Sequence, residues 1–328
     1  MTRIVLLGLK GHQSVCLQEI ARREDVRLVA VTDDDPNLLL SAPNLPGVRP
    51  DTLITPHQAE VLALPNVDVA IVCGDNGARA RDLLACAQRG WHLCAEKPLA
   101  LDLHDLDKVR AAVAAAKVRL TMLLTMRFEG VYRAARQALA QGVVGKPLQL
   151  AAQKSYRRGQ RPAWQRQRAT YGGTIPFIGI HPVDMLAWLT GCRYRRVAAL
   201  AHNAGLPGAG QMEESCALLL ETTEGAVVSI RLDYLRPNAA PSHGDDRFRI
   251  AGSTGVLEVI DGKLNLITHE QKPSVLPAAE APNLFGQFLD ALAGKGTHDI
   301  TAEQAFAMTA VCLRAQEAAV SGRWVELA

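Results

Sequence analysis

The chain has 328 residues, 48% apolar and 21% charged, with a formal net charge of +3. That length suits two domains better than one core, and so small a net charge gives no basis for nucleic-acid binding. The seven cysteines are scattered with no C-x-x-C pair, and no apolar run reaches membrane-spanning length. Arg3-Ile4-Val5-Leu6-Leu7 begins a strand where a signal peptide would stand. The expectation is a cytoplasmic protein with no metal site, its thiols serving as small core residues.

Residues 1–120 read as alternating strands and helices. Ile4 to Leu7 is an apolar strand ending in Gly8-Leu9-Lys10-Gly11, and Ser14 to Arg23 follows with helical spacing. Val26 to Val31 is a second strand, stopped by Thr32-Asp33-Asp34-Asp35-Pro36. Residues 41–56 are rich in turn formers and predict a loop with at most one short strand. Gln58 to Ala63 predicts a short helix and Val67 to Cys73 a third clear strand. Ala78 to Arg89 (helix), Trp91 to Cys94 (strand), Asp102 to Lys117 (helix) and Arg119 to Thr125 (strand) complete the series. Apolar strands alternating with helices predict a parallel sheet covered on both faces.

The first turn is where a dinucleotide would be held. The G-x-G-x-x-G pattern lets backbone amides at a helix start approach a pyrophosphate. Here Gly8 fills the first slot, Lys10 the second and Gln13 the third, with Gly11 an extra glycine one place late. The pattern is degraded, but it follows a strand and precedes a helix. Asp33 closes the second strand at the distance where a carboxylate takes ribose hydroxyls. Such an acid repels a 2′-phosphate, so NAD is favoured over NADP. Asp33 to Asp35 read equally as a solvated turn capping a helix, and the two roles are compatible.

Ala95-Glu96-Lys97-Pro98 lies just past the fourth clear strand. A residue before proline is kept out of the helical region, so the backbone aims Lys97. On its own the tripeptide reads as an ordinary strand-to-helix turn. Beyond Met122 the period changes. A helix is predicted over Glu129 to Gln141, then strands at Leu148 to Tyr156, Arg196 to His202, Ser215 to Thr222, Ala226 to Tyr234 and Arg247 to Ala251. Further strands lie near Val256 to Ile260 and Lys263 to Thr268. Turns such as Asp261-Gly262 join them as in an antiparallel sheet. A helix at Pro182 to Leu189 interrupts the strands, and Leu284 to Ala293 and Ala302 to Ala319 close the chain. The boundary falls near residues 120–125, giving domains 1–121 and 122–328.

Taken in order, these pieces resemble the glucose-fructose oxidoreductase / inositol dehydrogenase / MocA family of nicotinamide-dependent enzymes. The matching residues are the strand-turn start, Asp33, Asp68-Val69-Ala70-Ile71-Val72, Gly90 and Cys94-Ala95-Glu96-Lys97-Pro98. They continue through Met126-Arg127-Phe128, Gly142-Val143-Val144-Gly145-Lys146-Pro147, Gly179-Ile180-His181-Pro182-Val183-Asp184, Trp188-Leu189-Thr190-Gly191 and Ile250-Ala251-Gly252-Ser253-Thr254-Gly255. The resemblance implies an α/β chain: an N-terminal Rossmann domain with a doubly wound parallel sheet, then an α+β domain with an open, mostly antiparallel sheet. It further implies a homodimer or homotetramer through that sheet, whose outer set Val227, Ser229, Arg231 alternates with Ala226, Val228, Ile230.

The same resemblance implies the site. Gly8, Lys10, Gly11, His12, Asp33, Asn76, Glu96 and Lys97 would hold NAD. Lys97, Arg127, Tyr156, Phe177, His181 and Asp184 would face a small, carbohydrate-like substrate. Lys97 and His181 would be catalytic and would converge on one cleft lined by Phe177, with Lys97 at the reacting carbon and the Lys97-Pro98 bond cis. Burial beside a nicotinamide cation favours the neutral amine, the form that accepts a hydroxyl proton. Pro182 suits a first helical turn, which would put His181 at a helix start, where the dipole favours neutral imidazole. For Glu96, Asp184 and His181 the plain readings stand alongside: a surface acid, a first-turn acid that stabilises its helix, and a packed ring.

Three positions depart from the family. Phe177 occupies the slot of the usual aspartate four residues before the histidine. Gly74-Asp75 replaces Thr-Pro before Asn76, and Arg79 stands where histidine is common. Tyr156 to Tyr171 also carries Arg157, Arg158, Arg161, Arg166 and Arg168 with Trp164. These suit a carboxylate or phosphate, or equally a solvated loop or subunit contact. The leading expectation is an NAD-dependent oxidoreductase acting on a secondary hydroxyl of a sugar, polyol or sugar acid. The alternatives are NAD-assisted elimination or glycoside cleavage, and a non-catalytic ligand-binding or regulatory protein.

Overall fold

The computed structural model describes residues 1–327. By its contacts the chain divides into two units. One comprises residues 1–123 and 282–307; the other comprises 124–281 and the C-terminal residues from 308. The sequence grouped 282–307 with the second domain. Its inclusion in the first has a local cause. Asn283 caps the helix Leu284–Leu292 by accepting from the amides of Phe285 (2.8 Å) and Gly286 (3.0 Å), and its own amide donates to Val15 O at 3.3 Å.

In the first unit the strands are β1 (Thr2–Leu7), β2 (Val26–Thr32), β3 (Leu53–Thr55), β4 (Val69–Val72), β5 (His92–Ala95) and β6 (Leu120–Met122). They pair in parallel in the order β3-β2-β1-β4-β5-β6. Ile4, Val5, Leu6 and all four residues of β4 are wholly buried, as continuous apolar strands covered on both faces must be. The order reverses between β1 and β4. In such sheets a ligand crevice lies there, outside the carboxyl ends. The helix Pro36–Ser41 was not foreseen; Asp35 caps it through the Asn37 amide at 2.9 Å.

The second unit is built on β7 (Pro147–Tyr156), β8 (Tyr194–His202), β9 (Ser215–Thr222), β10 (Val227–Asp233), β11 (Gly244–Gly252), β12 (Gly255–Ile260), β13 (Lys263–Thr268), β14 (Ser274–Leu276) and β15 (Val325–Glu326). Their order is β14-β13-β12-β11-β7-β10-β9-β8-β15. Only β7 and β10 run parallel among the described pairs; the rest are antiparallel. Cys216, Leu218, Leu220, Val228, Ile230 and Leu232 are buried on one face, while Ala217, Leu219, Val227, Ser229 and Arg231 are exposed on the other. Asp261 and Gly262 both take positive φ (52° and 69°), as a two-residue hairpin turn requires. The short strands β14 and β15 lacked any sequence signal.

One helix differs from its expected start. The backbone is already helical at Thr174, runs through a wide π turn at Ile175–Gly179, and continues as Ile180–Thr190. Pro182 has no N–H to donate, and a widened turn just before it absorbs that gap. His181 therefore lies inside a continuous helix, and the argument from an exposed helix start fails for it. No helix of the described residues is long and apolar enough to cross a membrane.

Candidate active site

The β1 turn forms because of what surrounds it. Gly8 has φ +90°, and a Cβ there would lie 2.1 Å from the backbone of Gly74, so no other residue fits. A Cβ at Gly11 would meet the Glu96 side chain at 2.3 Å. Asp33, buried at the end of β2, accepts the Leu9 amide on Oδ2 (2.6 Å) and the Asp35 amide on Oδ1 (2.8 Å). Lys10 Nζ lies 3.3 Å from Asp33 Oδ1 and also bonds Asp34. Burial pushes the Asp33 carboxyl up, and the two amides and Lys10 recover only part of that. A cavity of about 100 Å³ opens here, lined among others by Gly8, Lys10, Asp33, Gln58, Asp75 and Arg81.

Glu96 connects this turn to Lys97. Its Oε1 accepts the His12 amide at 2.8 Å and contacts His12 Nδ1, and its Oε2 accepts the Lys97 amide at 2.7 Å. Glu96 is 2% exposed. Burial opposes its charge, but His12, Lys97 and Arg79 outweigh that and hold the carboxyl well below the usual range. The surface-acid reading of Glu96 is thereby removed.

Arg79 organises the other side. Its Nη1 donates to Asn76 Oδ1 (2.8 Å), Lys97 O (3.0 Å) and Pro98 O (3.0 Å), and its Nη2 to Gly74 O (2.7 Å). The Lys97-Pro98 bond is cis, as expected. Lys97 and Asn76 are both buried. The sequence marked Arg79 only as a departure; nothing in the helical spacing of Asn76–Gln88 points a guanidinium at a loop 18 residues on.

In the second unit, Arg127 and Asp184 were expected at a substrate. They bind each other. Arg127 Nε donates to Asp184 Oδ2 at 2.8 Å and Nη2 to Oδ1, and both residues are buried. This forked pair ties the turn Thr125–Phe128 to the helix Ile180–Thr190. Phe177 packs against Tyr171 (5.0 Å between centroids) and edge-on to Trp164 (5.8 Å). His181 is 5% exposed. Tyr156 stacks on His243 at 4.9 Å and receives Lys154 Nζ over its ring at 5.0 Å. Lys154 is buried and bonds Asp246 Oδ2 at 2.6 Å. The sequence analysis missed Lys154, although Lys154 and Tyr156 share a strand face at period two.

The first unit, with its glycine turn, its acid at the end of β2 and its switch point, is of the dinucleotide-binding class. Comparison with known proteins gives the family. Residues 2–124 match the oxidoreductase family with an NAD-binding Rossmann fold, and residues 132–258 match the GFO/IDH/MocA C-terminal domain. A solved structure of a candidate oxidoreductase from Thermotoga maritima superposes with a TM-score of 0.92 at 28% identity, covering 99% of each chain. Myo-inositol 2-dehydrogenase of Thermotoga maritima is 27% identical over 197 residues, 60% of this chain and 57% of that enzyme. Inositol 2-dehydrogenase/D-chiro-inositol 3-dehydrogenase of Shouchella clausii is 26% identical over 262 residues, 78% of this chain and 72% of its own length. The chain belongs to the GFO/IDH/MocA family of oxidoreductases, and its first domain is the NAD-binding one.

Proposed function

We propose that the protein transfers a hydride between NAD and a secondary hydroxyl or carbonyl carbon of a polyol, sugar or sugar acid. The observation that carries this is the double anchoring of Lys97 at the carboxyl end of β5. Glu96 holds its amide and Arg79 holds its carbonyl. That aims a buried lysine from a rigid element.

The residues present fit the cofactor. Gly8 admits close backbone approach and Asp33 stands ready for ribose hydroxyls, with NAD preferred to NADP because that carboxylate repels a 2′-phosphate. Gly11, His12, Asn76 and Glu96 complete the proposed cofactor set. NAD, when bound, supplies the hydride acceptor. Lys97 takes the hydroxyl proton at Nζ in the oxidative direction and returns it in the reductive one. His181 and Tyr156 hold the substrate's hydroxyls. Arg127 and Asp184 keep the scaffold of the second unit in register. The names of the inositol dehydrogenases similar to this chain support a polyol as the first substrate to try. Seven free cysteines, six of them buried, support a reducing cytoplasm.

The test is steady-state NADH formation with myo-inositol, other cyclic polyols and sugar acids. A fall in turnover of about 10²–10⁴-fold in Lys97→Ala is expected. No NADH with any of these, in protein shown to bind NAD, would overturn the reading.

A further inference from the structure

The departure in the glycine turn sets a charge beside the acid at the end of β2. In the G-x-G-x-x-G pattern the second slot carries no side chain; here it is Lys10. The turn accepts the lysine without strain. Lys10 is not among the residues with positive φ, and its amide donates to Cys73 O at 2.9 Å. Its side chain reaches β2, where Nζ lies 3.3 Å from Asp33 Oδ1 and bonds Asp34. Only 11% of that side chain is exposed, and Lys10 forms part of the wall of the cavity of about 100 Å³.

The charged residues lining that cavity are Lys10, Asp33, Asp34, Asp75, Arg81 and Asp82. Arg81 is taken by Asp82, to which its Nε donates at 3.0 Å. Asp75 caps the helix Asn76–Gln88 by accepting the Ala78 amide at 2.9 Å. Lys10 is therefore the cation that answers Asp33 and Asp34. When all three are ionised, one positive charge stands against two negative ones. Without Lys10 both acids would be unanswered. An acid in the position of Asp33 takes the ribose hydroxyls. A group on the ribose 2′ oxygen then lies just past one hydrogen bond, ~3 Å, from the carboxylate. The Lys10 ammonium, 3.3 Å from the same carboxylate, is close enough to act on it.

We propose that Lys10 is a specificity-determining residue of the cofactor site, set against the 2′ position of the adenosine ribose, where it lowers the penalty that Asp33 and Asp34 impose on a 2′-phosphate. This rests on the reading of the cofactor site given above and refines it. NAD remains the tighter ligand, because the three groups together keep a net negative charge. NADP binds as well, at a disadvantage whose size Lys10 sets. A phosphate beside two carboxylates alone meets only repulsion, whereas an ammonium held between them gives it a charge-assisted partner. The lysine acts from a slot where the family pattern has glycine, so the lost glycine widens the choice of cofactor.

The experiment is calorimetric titration of the full chain with NAD and with NADP at one ionic strength, in wild type, Lys10→Met, Lys10→Arg, Asp34→Asn and a control, Lys108→Met. The readout is the ratio of the NADP to the NAD dissociation constant. It should rise about tenfold in Lys10→Met, the loss of one charge-assisted contact. Lys10→Arg keeps the charge and should hold the ratio near that of wild type. Asp34→Asn should lower the ratio about threefold, a smaller effect because water screens that exposed acid. This variant leaves the turn untouched, so it tests the role of the charge even where Lys10→Met fails to fold. Lys108 pairs with Asp105 on the helix Leu103–Ala116, away from the cavity lining, and Lys108→Met should leave the ratio unchanged. A ratio that does not rise in Lys10→Met, rises as much in Lys10→Arg or Lys108→Met, or rises in Asp34→Asn overturns the role of Lys10. Tight NAD binding with any of those outcomes counts against this proposal alone. Wild-type protein that binds neither dinucleotide overturns the cofactor reading as well.

Discussion

Arg79 Nη1 lies 3.0 Å from the carbonyl oxygen of Lys97 and 3.0 Å from that of Pro98, so a guanidinium from the helix Asn76–Gln88 holds the loop that carries the proposed proton-transfer group. With Gly74 O and Asn76 Oδ1 it satisfies four buried acceptors at once. Arg79→Met should lower the unfolding free energy by at least ~3 kcal/mol, since each buried group left unsatisfied costs about 1–3 kcal/mol. Arg79→Lys should recover part of it, because an ammonium keeps the charge but cannot span all four acceptors. Urea denaturation of the two variants measures this. Equal stability of Arg79→Met and wild type would show the clamp to be idle.

Glu96 makes stability depend on pH in a defined direction. Its folded-state pKa is depressed below the ordinary value of 4.5. A depressed carboxyl contributes stability that is complete above the unfolded value and is lost as pH falls through the folded one. Glu96→Gln cannot accept both the His12 and Lys97 amides as a carboxylate does. It should cost about 1–3 kcal/mol at neutral pH. The gap between wild type and variant should close only in strong acid, well below 4.5. A gap that is constant across that range would mean that the Glu96 charge plays no part.

The strands and helices were largely legible because their signals are local. β4 is a bare apolar run, and β9 and β10 alternate strictly. The charged interior was not legible. Arg79 meets Lys97, Glu96 meets His12, and Arg127 meets Asp184 across 18, 84 and 57 residues. No sequence period carries such pairings. The widened turn before Ile180 escaped for another reason. Pro182 marks a helix start in one context and a lost donor inside a helix in another, and the seven or eight residues before it decide which. Phe177 was legible as a departure from the family pattern, but its packing against Tyr171 and Trp164 was not.

Asp33 should set cofactor preference. Asp33→Asn keeps an acceptor but removes the charge, so NAD affinity should fall about tenfold while the preference over NADP narrows. The same group predicts an acid limit. Asp33 is raised above its ordinary 3.8 by burial, and ribose hydroxyls need the ionised form. NAD binding should therefore weaken with acid at a pH above that at which an ordinary aspartate titrates, and Asp33→Asn should lose this step. Titration of both cofactors by intrinsic fluorescence at several pH values reads out each point.

The solvent face of β8, β9 and β10 carries Leu200 (72% exposed), Leu219 (44%) and Val227 (50%), with Trp324 (45%) beside them. Apolar residues clustered on an uncovered sheet face are usually covered by a partner. We propose a second copy of this chain as that partner, giving a dimer or tetramer. Leu219→Arg with Leu200→Glu should yield a folded monomer by sedimentation velocity. Wild-type protein sedimenting as a monomer at micromolar concentration would contradict the proposal.

Lys97, His181 and Phe177 should respond differently to substitution. Lys97→Ala removes the proton-transfer group from an anchored loop, and kcat should fall about 10²–10⁴-fold, the usual contribution of such a group. The loop itself should stay in place, because Glu96 and Arg79 hold it through main-chain atoms that alanine retains. Some urea stability should be lost with the Lys97 charge, which helps keep the buried Glu96 ionised, but less than in Arg79→Met, which breaks the anchors themselves. His181→Ala should also lower turnover, with a larger share of the loss in KM if the ring positions the substrate. Phe177→Asp restores the carboxylate common in the family, but the ring it deletes packs on Tyr171 and Trp164. Each such aromatic pair is worth about 0.5–1.5 kcal/mol beyond its burial, and the new charge would sit among rings. Phe177→Asp should therefore lose stability and gain no activity. A stable Phe177→Asp with raised kcat would show that the aromatic cluster yields readily and that the family's usual lysine–aspartate–histidine set can be rebuilt in this chain.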